Sequence, residues 1–217
     1  MIIAIAAAHA MEFSTFRRYM GKVQKLPLGE WQHYIWLHEG NQVILLETGI
    51  GPEKAAGASE ILFETYPVDC MINFGSAGMI NGNYQVGDAF LADETIHAVH
   101  GTSLGTDRII TNSIAAFLEE SGRSYQRGRL LTSPEPVVKR TYRTRYAHHF
   151  QVGAVDMEAF ALNQCAVTRG IPFASIKMIS DHANALTRLE FWKNLPHVDR
   201  TLGKLMYGFL GYFKNAA

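Results

Sequence analysis

Two short segments of the sequence place carboxylic acids where they could handle protons and sugar hydroxyls. Asp156-Met157-Glu158 and Ser180-Asp181-His182 each follow a run of apolar residues. The two acids of the first segment could accept hydrogen bonds from a diol, or they could cap the helix that follows. Burial at the end of an apolar strand would raise the pKa of Asp181, which suits a general acid, although the segment could also be a helix cap or a turn.

Two further segments could contribute to the same chemistry. Gly75-Ser76-Ala77-Gly78 follows an apolar run and is predicted to form a tight turn with free N–H groups. Such a turn could hold an oxyanion or a ribose, or it could merely reverse the chain. Glu12, in Ala10-Met11-Glu12, is the only acid of the first loop. It could activate a nucleophile or simply begin a helix.

Several common cofactor motifs are absent from the sequence. Gly49-Ile50-Gly51 lacks the third glycine of a dinucleotide fingerprint, and no Gly-Lys-Ser/Thr of a phosphate-binding loop occurs. Phe74 stands where a G-x-S-x-G nucleophile elbow needs its first glycine. The adjacent His148 and His149 would point apart on a helix, so we expect no metal site and no cofactor.

The composition indicates a folded cytoplasmic protein without a polyanionic partner. Of the 217 residues, 47% are hydrophobic and 18% charged, which excludes a disordered chain. Twenty basic side chains balance twenty acidic ones, so neither nucleic acid nor an acidic membrane is expected as a partner. Two cysteines predict reduced thiols. The apolar stretch at residues 1–10 has no preceding basic residue and is better explained as a buried strand than as a signal peptide.

The elements that must position these acids alternate along the chain. Apolar runs predict strands, and spaced apolar residues with helix-start signals predict helices. A hairpin is expected around Gly40-Asn41 and a turn at Asn81-Gly82-Asn83. The closing helix has a core-facing stripe of Val198, Leu202, Leu205, Met206, Phe209 and Phe213. The predicted strands are 2–8, 31–38, 42–48, 68–74, 86–92, 128–132, 153–156 and 173–179, and the other predicted helices begin near residues 13, 52, 113, 137 and 157.

This alternation predicts an α/β fold. We expect residues 1–217 to form one domain, a three-layer α/β/α sandwich around a central mixed, largely parallel sheet. Ligands bind at the carboxyl ends of the strands in such sheets. All four segments described above lie at predicted strand ends, so we expect them to converge on one site.

Together with Gly49-Ile50-Gly51 and Val86-Gly87-Asp88, these segments resemble the purine nucleoside phosphorylase/nucleosidase superfamily. The resemblance covers most of the chain in order, and it is greatest for methylthioadenosine/S-adenosylhomocysteine nucleosidases and their relatives acting on futalosine. It implies a nucleosidase that cleaves an N-glycosidic bond of a purine, 5′-modified nucleoside, in a homodimer or a higher homo-oligomer. Asp181, oriented by Ser180, would protonate the leaving base. Glu158 would remain ionised and bind the ribose hydroxyls, Met157 would pack on the sugar, and the nucleophile would lie near Ser76, Ala77 and Gly78.

The resemblance is incomplete at two places. Aligned on Ala10-Met11-Glu12, the water-activating glutamate of such nucleosidases falls on Ser14, so Glu12 either replaces it or serves only the helix start. The segment at residues 132–137 offers prolines where relatives place an aromatic residue against the base.

The sequence therefore leaves alternatives for the identity of the nucleophile and for whether the protein is an enzyme. Phosphorylases of the superfamily hold phosphate with arginines beside the first loop and the glycine-serine segment, whereas here only Arg17 and Arg18 lie near, within the next helix. Water is the favoured nucleophile. The alternatives are a phosphate-dependent phosphorylase, including the hopanoid-pathway type, and a catalytically silent nucleoside-binding protein.

Overall fold

The computed structural model describes residues 1–21, 23–82 and 85–216. Its strands are β1 (Ile2–Ala7), β2 (Lys25–Leu28), β3 (Trp31–His38), β4 (Asn41–Glu47), β5 (Cys70–Met79), β6 (Ala89–His97), β7 (Ser103–Gly105), β8 (Tyr125–Thr132), β9 (Ala154–Asp156) and β10 (Phe173–Asp181). Its α-helices are α1 (Ser14–Met20), α2 (Pro52–Thr65), α3 (Arg108–Glu120), α4 (Arg140–Phe150), α5 (Ala159–Thr168) and α6 (Thr187–Ala216). A short 3-10 helix, Ala10–Glu12, precedes α1.

The ten strands form one mixed sheet between two helical layers. Their order is β10-β6-β8-β9-β5-β1-β4-β3-β2, with β7 on β6. Side chains of alternate residues of β1 pack on opposite faces, because a strand alternates its side chains. Ile3 and Ile5 pack in the cluster that includes residues of α1, α3 and α6, whereas Ala4 and Ala6 pack in the cluster that includes residues of α2 and α5. The predicted α/β fold with a mixed central sheet is confirmed.

Part of the sheet closes on itself. Strand β5 pairs with β1, β9 and β10, while β10 also pairs with β6, and β6 joins β8 and then β9. A ring of five strands therefore stands beside the open part of the sheet. A small apolar cluster, with Phe90 and Leu130 among its members, belongs to these strands.

Several sequence predictions of elements need correction. Strand β5 does not end at residue 74: Gly75-Ser76-Ala77-Gly78 continues it and pairs with β10, so the predicted tight turn there is wrong. The hairpin turn is Glu39-Gly40, one residue earlier than predicted, and both residues have positive φ, 51° and 81°. Strand pairing decides both outcomes: β5 pairs with the distant β10, and the register of β3 with the adjacent β4 fixes the hairpin turn.

Other bounds moved without changing the element. Strand β6 begins three residues later than predicted and continues to His97, and Asn83 of the preceding predicted turn lies outside the described residues. Helix α3 begins at Arg108 because the Asp107 side chain caps it. Strands β2 and β7 were not predicted. None of the described helices combines the length and the apolar character that crossing a membrane requires.

The stripe on the closing helix is buried as predicted. Its six members all belong to the large apolar cluster, and α6 begins eleven residues before the first of them. The extra turns at its start carry it over the ends of the strands, where the polar residues gather.

Candidate active site

All eight residues that the sequence analysis selected line one cavity of about 390 Å³. They are Glu12, Ser76, Ala77, Gly78, Met157, Glu158, Ser180 and Asp181. The cavity lies beside the last residues of β5, β9 and β10; β10 is parallel to β5, as in the rule for such sheets, whereas β9 is antiparallel to β5. Further wall comes from residues 135–137 and from the start of α6, with Arg188, Phe191 and Trp192.

The Asp181 carboxyl is buried and held by two donors. Ser180 Oγ donates to Oδ2 at 2.7 Å, and the N–H of Ala183 donates to Oδ1 at 2.9 Å. The pairing register of β5 and β10 shifts between Ile179 and Asp181, which makes Ser180 an additional residue on β10. A bulge of this kind redirects the side chains beside it. The expected orientation of Asp181 by Ser180 is present in the structure.

The Glu12 carboxylate reaches the middle of β5. Its Oε1 accepts hydrogen bonds from the N–H of Ser76 at 2.8 Å and from Ser76 Oγ at 2.5 Å. The N–H of His9 donates to Oε2 at 3.3 Å, which completes a capping box for the short helix. Glu12 therefore takes part in the capping box of the short helix, and it also lines the cavity.

Ser14, by contrast, points elsewhere. Its hydroxyl donates to Asp199 Oδ2 at 2.7 Å, and it is not among the residues that line the cavity. The carboxylate in the cavity belongs to Glu12.

Two glycines of β5 leave room for these acids. A Cβ on Gly75 would lie 3.1 Å from Glu12 Oε1, and one on Gly78 would lie 2.8 Å from Asp181 Oδ1. A side chain at residue 78 would therefore displace the Asp181 carboxyl. The glycines serve close approach within a strand rather than the turn that the sequence suggested.

Asp156 and Glu158 have separate environments. Asp156 Oδ1 accepts from Thr132 Oγ1 at 2.7 Å, and Oδ2 accepts from the N–H of Ala159 at 2.9 Å, so this acid caps α5. Glu158 Oε1 accepts from the N–H of Gly51 at 2.9 Å. Of the pair that could have bound a diol, only Glu158 has its carboxylate free for a ligand.

Lys177 was missed by the sequence analysis, although a lysine within an otherwise apolar strand was a signal. Its Nζ lies 2.8 Å from Asp156 Oδ2, and the two side chains are only 2% and 1% exposed. Burial alone would lower the pKa of Lys177. Its pKa is instead raised, chiefly by Asp156, with further contributions from Glu158 and Glu12.

The surroundings of Glu158 work against the ionised form that was expected of it. Burial raises the pKa of its carboxyl to about 8, and the negative charges of Asp156 and Glu12 act in the same direction. Lys177 and the N–H of Gly51 oppose the shift. Burial and the three carboxylates around one ammonium group together disfavour the charged form of Glu158.

The first two turns of α6 supply the aromatic wall that residues 132–137 lack. Phe191 and Trp192 line the cavity, and Trp192 is 59% exposed at its rim. From residues 132–137 the cavity receives Glu135, Pro136 and Val137. The sequence analysis missed this wall because it took only the later, core-facing stripe of the helix as evidence.

Comparison with known proteins identifies the family of the chain. A family model described as the phosphorylase superfamily matches residues 2–210. The chain belongs to the phosphorylase superfamily. The resemblance inferred from the motifs is therefore confirmed at the level of the superfamily.

Within the phosphorylase superfamily, the chain is similar to curated nucleosidases. A 5′-methylthioadenosine/S-adenosylhomocysteine nucleosidase of Haemophilus influenzae strain PittGG is 27% identical, over 97% of this chain and 99% of the relative. A protein of the same name from Lysinibacillus sphaericus is 28% identical, over 90% and 93% of the two chains.

Solved structures of the superfamily share the fold closely. A futalosine hydrolase mutant of Helicobacter pylori superposes with a TM-score of 0.93 at 15% identity, over 97% of this chain and 98% of the other. A Neisseria meningitidis 5′-methylthioadenosine/S-adenosylhomocysteine nucleosidase in complex with methylthio-immucillin-A has a TM-score of 0.92 at 24% identity, over 96% and 98%.

Proposed function

We propose that this protein is a nucleosidase that hydrolyses the N-glycosidic bond of a purine nucleoside with a modified 5′ position. The observation that carries the proposal is the convergence of Asp181, Glu158 and Glu12 on one cavity. The names of the curated relatives support the same reaction class. The exposed apolar rim, with Ile50 and Trp192, supports association with a second copy of the chain.

Asp181 is the proposed general acid. Breaking the bond between the sugar and the base gives an oxocarbenium-like sugar and leaves an electron pair on the base nitrogen. A proton from the Asp181 carboxyl neutralises the departing base. Ser180 and the N–H of Ala183 fix the carboxyl in place, so the proton is delivered from a defined position.

Glu158 is the proposed ribose ligand. Its carboxyl lies beside Met157, which lines the same cavity, and the N–H of Gly51 fixes one of its oxygens. The sugar hydroxyls would donate to Glu158, and positive charge growing on the sugar would favour its ionised form. Such a charge-dependent interaction strengthens toward the transition state.

Glu12 is the proposed base for water. Water would give a proton to Glu12 while its oxygen bonds to the anomeric carbon, and the bond to the base breaks as Asp181 gives up its own proton. The products are the free base and a sugar with a new hydroxyl, so atoms and charges balance. Ser76 holds the Glu12 carboxylate through two hydrogen bonds.

The same contacts disfavour phosphate as the nucleophile. The N–H and hydroxyl of Ser76, which could hold an anion, already donate to the Glu12 carboxylate. Arg17 donates to Tyr34 and Arg18 to Thr15. Arg188, at the start of α6, does line the cavity. Beside Ser76, however, a phosphate dianion would meet the Glu12 carboxylate instead of the paired cationic groups it requires.

The assignment of Asp181 is tested by Asp181→Asn, which keeps the shape of the side chain but cannot supply the proton. We expect turnover of 5′-methylthioadenosine, measured as the rate at which free adenine appears, to fall by about 10²-fold or more. Asp93→Asn, which alters an exposed partner of Arg127, is the matched control and should turn over normally. Normal turnover of Asp181→Asn would remove the residue from the mechanism.

A further inference from the structure

We infer that Asp199, on α6, is a positioning residue that holds Glu12 in the cavity by fixing the first turn of α1. This inference rests on the proposed function, in which Glu12 receives a proton from water. Asp199 itself does not line the cavity, so it would act only through the segment that carries Glu12.

Asp199 serves as the cap of a helix that is distant in sequence. Its Oδ2 accepts from Ser14 Oγ and Thr15 Oγ1, both at 2.7 Å, and its Oδ1 accepts from the N–H of Thr15 at 3.0 Å. Phe13, the local capping residue of α1, provides no side-chain hydrogen bond. A buried carboxylate at this end satisfies free N–H groups and complements the helix dipole.

Gly203, a second residue of α6, packs closely against the same turn of α1. A Cβ on Gly203 would lie 2.6 Å from the backbone nitrogen of Phe16 and 2.8 Å from Thr15 Cβ. Gly203 follows Asp199 by four residues, so both lie on one face of α6. The hydrogen bonds that Asp199 accepts and the close approach at Gly203 therefore fix α1 in two different ways.

Glu12 is directly connected to this turn. It ends the short helix, and only the fully buried Phe13 separates it from Ser14. A shift of α1 would therefore move the Glu12 carboxylate relative to its donors on Ser76. A displacement of about 1 Å in a reacting group can cost roughly 10²-fold in rate.

Asp199→Asn and Gly203→Ala test the inference by different perturbations. Each should lower kcat at least about tenfold and leave KM within about twofold, because Glu12 acts on water and not on the sugar or the base. Asp107→Asn is the matched control: Asp107 caps α3 through the N–H of Ile110 and does not line the cavity. It should lower the melting temperature similarly and leave kcat unchanged.

A double-mutant cycle separates positioning from general damage. If Asp199 acts through Glu12, adding Asp199→Asn to Glu12→Gln causes no further decrease in the rate constant measured under single-turnover conditions. An equal further loss in that background, or normal kcat in both α6 variants, overturns the inference. Normal turnover of Glu12→Gln overturns the proposed role of Glu12 and this inference together. If Glu12→Gln is inactive while Asp199→Asn has normal kcat, the inference alone is overturned.

Discussion

The buried pair of Lys177 and Asp156 should contribute strongly to stability, and Lys177→Met tests this directly. The variant removes the ammonium group 2.8 Å from Asp156 Oδ2 and leaves a carboxylate with almost no access to water. Breaking a buried ion pair in this way costs about 3–5 kcal/mol. Asp156 retains hydrogen bonds from Thr132 Oγ1 and the N–H of Ala159. We therefore expect the free energy of unfolding to fall by about 3 kcal/mol, at the low end of that range.

The assay is urea denaturation at pH 7, with calorimetry in parallel. For a chain of this length, a loss of about 3 kcal/mol lowers the melting temperature by roughly 6–12 °C. Glu64→Gln is the control: its 3.4 Å contact with Arg169 is exposed and should be worth under about 1 kcal/mol. Adding Asp156→Asn to Lys177→Met should recover part of the loss, because no charge is then left unpaired. A loss in Lys177→Met as small as in the control would refute the reasoning.

Two further predictions concern the acids of the cavity. The pKa of Glu158 is raised to about 8 in the folded protein, so the folded state keeps a proton that the unfolded chain loses above its ordinary value of 4.5. Stability should therefore fall as pH rises from 5 to 8, by up to about 1.4 kcal/mol per pH unit from this group. Glu158→Gln should flatten this pH dependence in urea denaturation, and parallel curves for the two proteins would contradict the reasoning. Gly78→Ala places a Cβ 2.8 Å from Asp181 Oδ1 and should lower turnover at least about tenfold. Gly128→Ala is the control, because the atom nearest to its new Cβ is 3.7 Å away, and its turnover should not fall. Equal turnover of the two variants would show that Asp181 tolerates the shift.

The rule about strand ends explains only part of the convergence that the sequence predicted. Glu12 follows β1 and Asp181 ends β10, both strands are parallel to β5, and parallel strands bring their ends to one edge of a sheet. Glu158 follows β9, which is antiparallel to β5, so its place in the site depends on the closed part of the sheet and not on that rule. Long-range pairing, by contrast, is not visible in local patterns. Gly75-Ser76-Ala77-Gly78 has the composition of a turn, yet pairing with β10 makes it strand.

The charged and aromatic parts of the site were harder to predict for a related reason. The ion pair of Lys177 with Asp156 joins β10 to β9, which both pair with β5, and only three-dimensional proximity shows that the two charges are partners. Phe191 and Trp192 lie in turns of α6 that cover the cavity rather than the core, so the core-facing stripe gives no sign of them. The shared burial of three carboxylates, which raises the pKa of Glu158, likewise arises only on folding.

The central claim is that water attacks the sugar in the cavity of Asp181, Glu158 and Glu12. Its most direct test is to incubate the protein with 5′-methylthioadenosine in ¹⁸O-labelled water, with and without inorganic phosphate, and to analyse both products by mass spectrometry. We expect free adenine, one ¹⁸O atom in the released sugar and a rate that does not depend on phosphate. A sugar 1-phosphate formed only when phosphate is present would contradict the account.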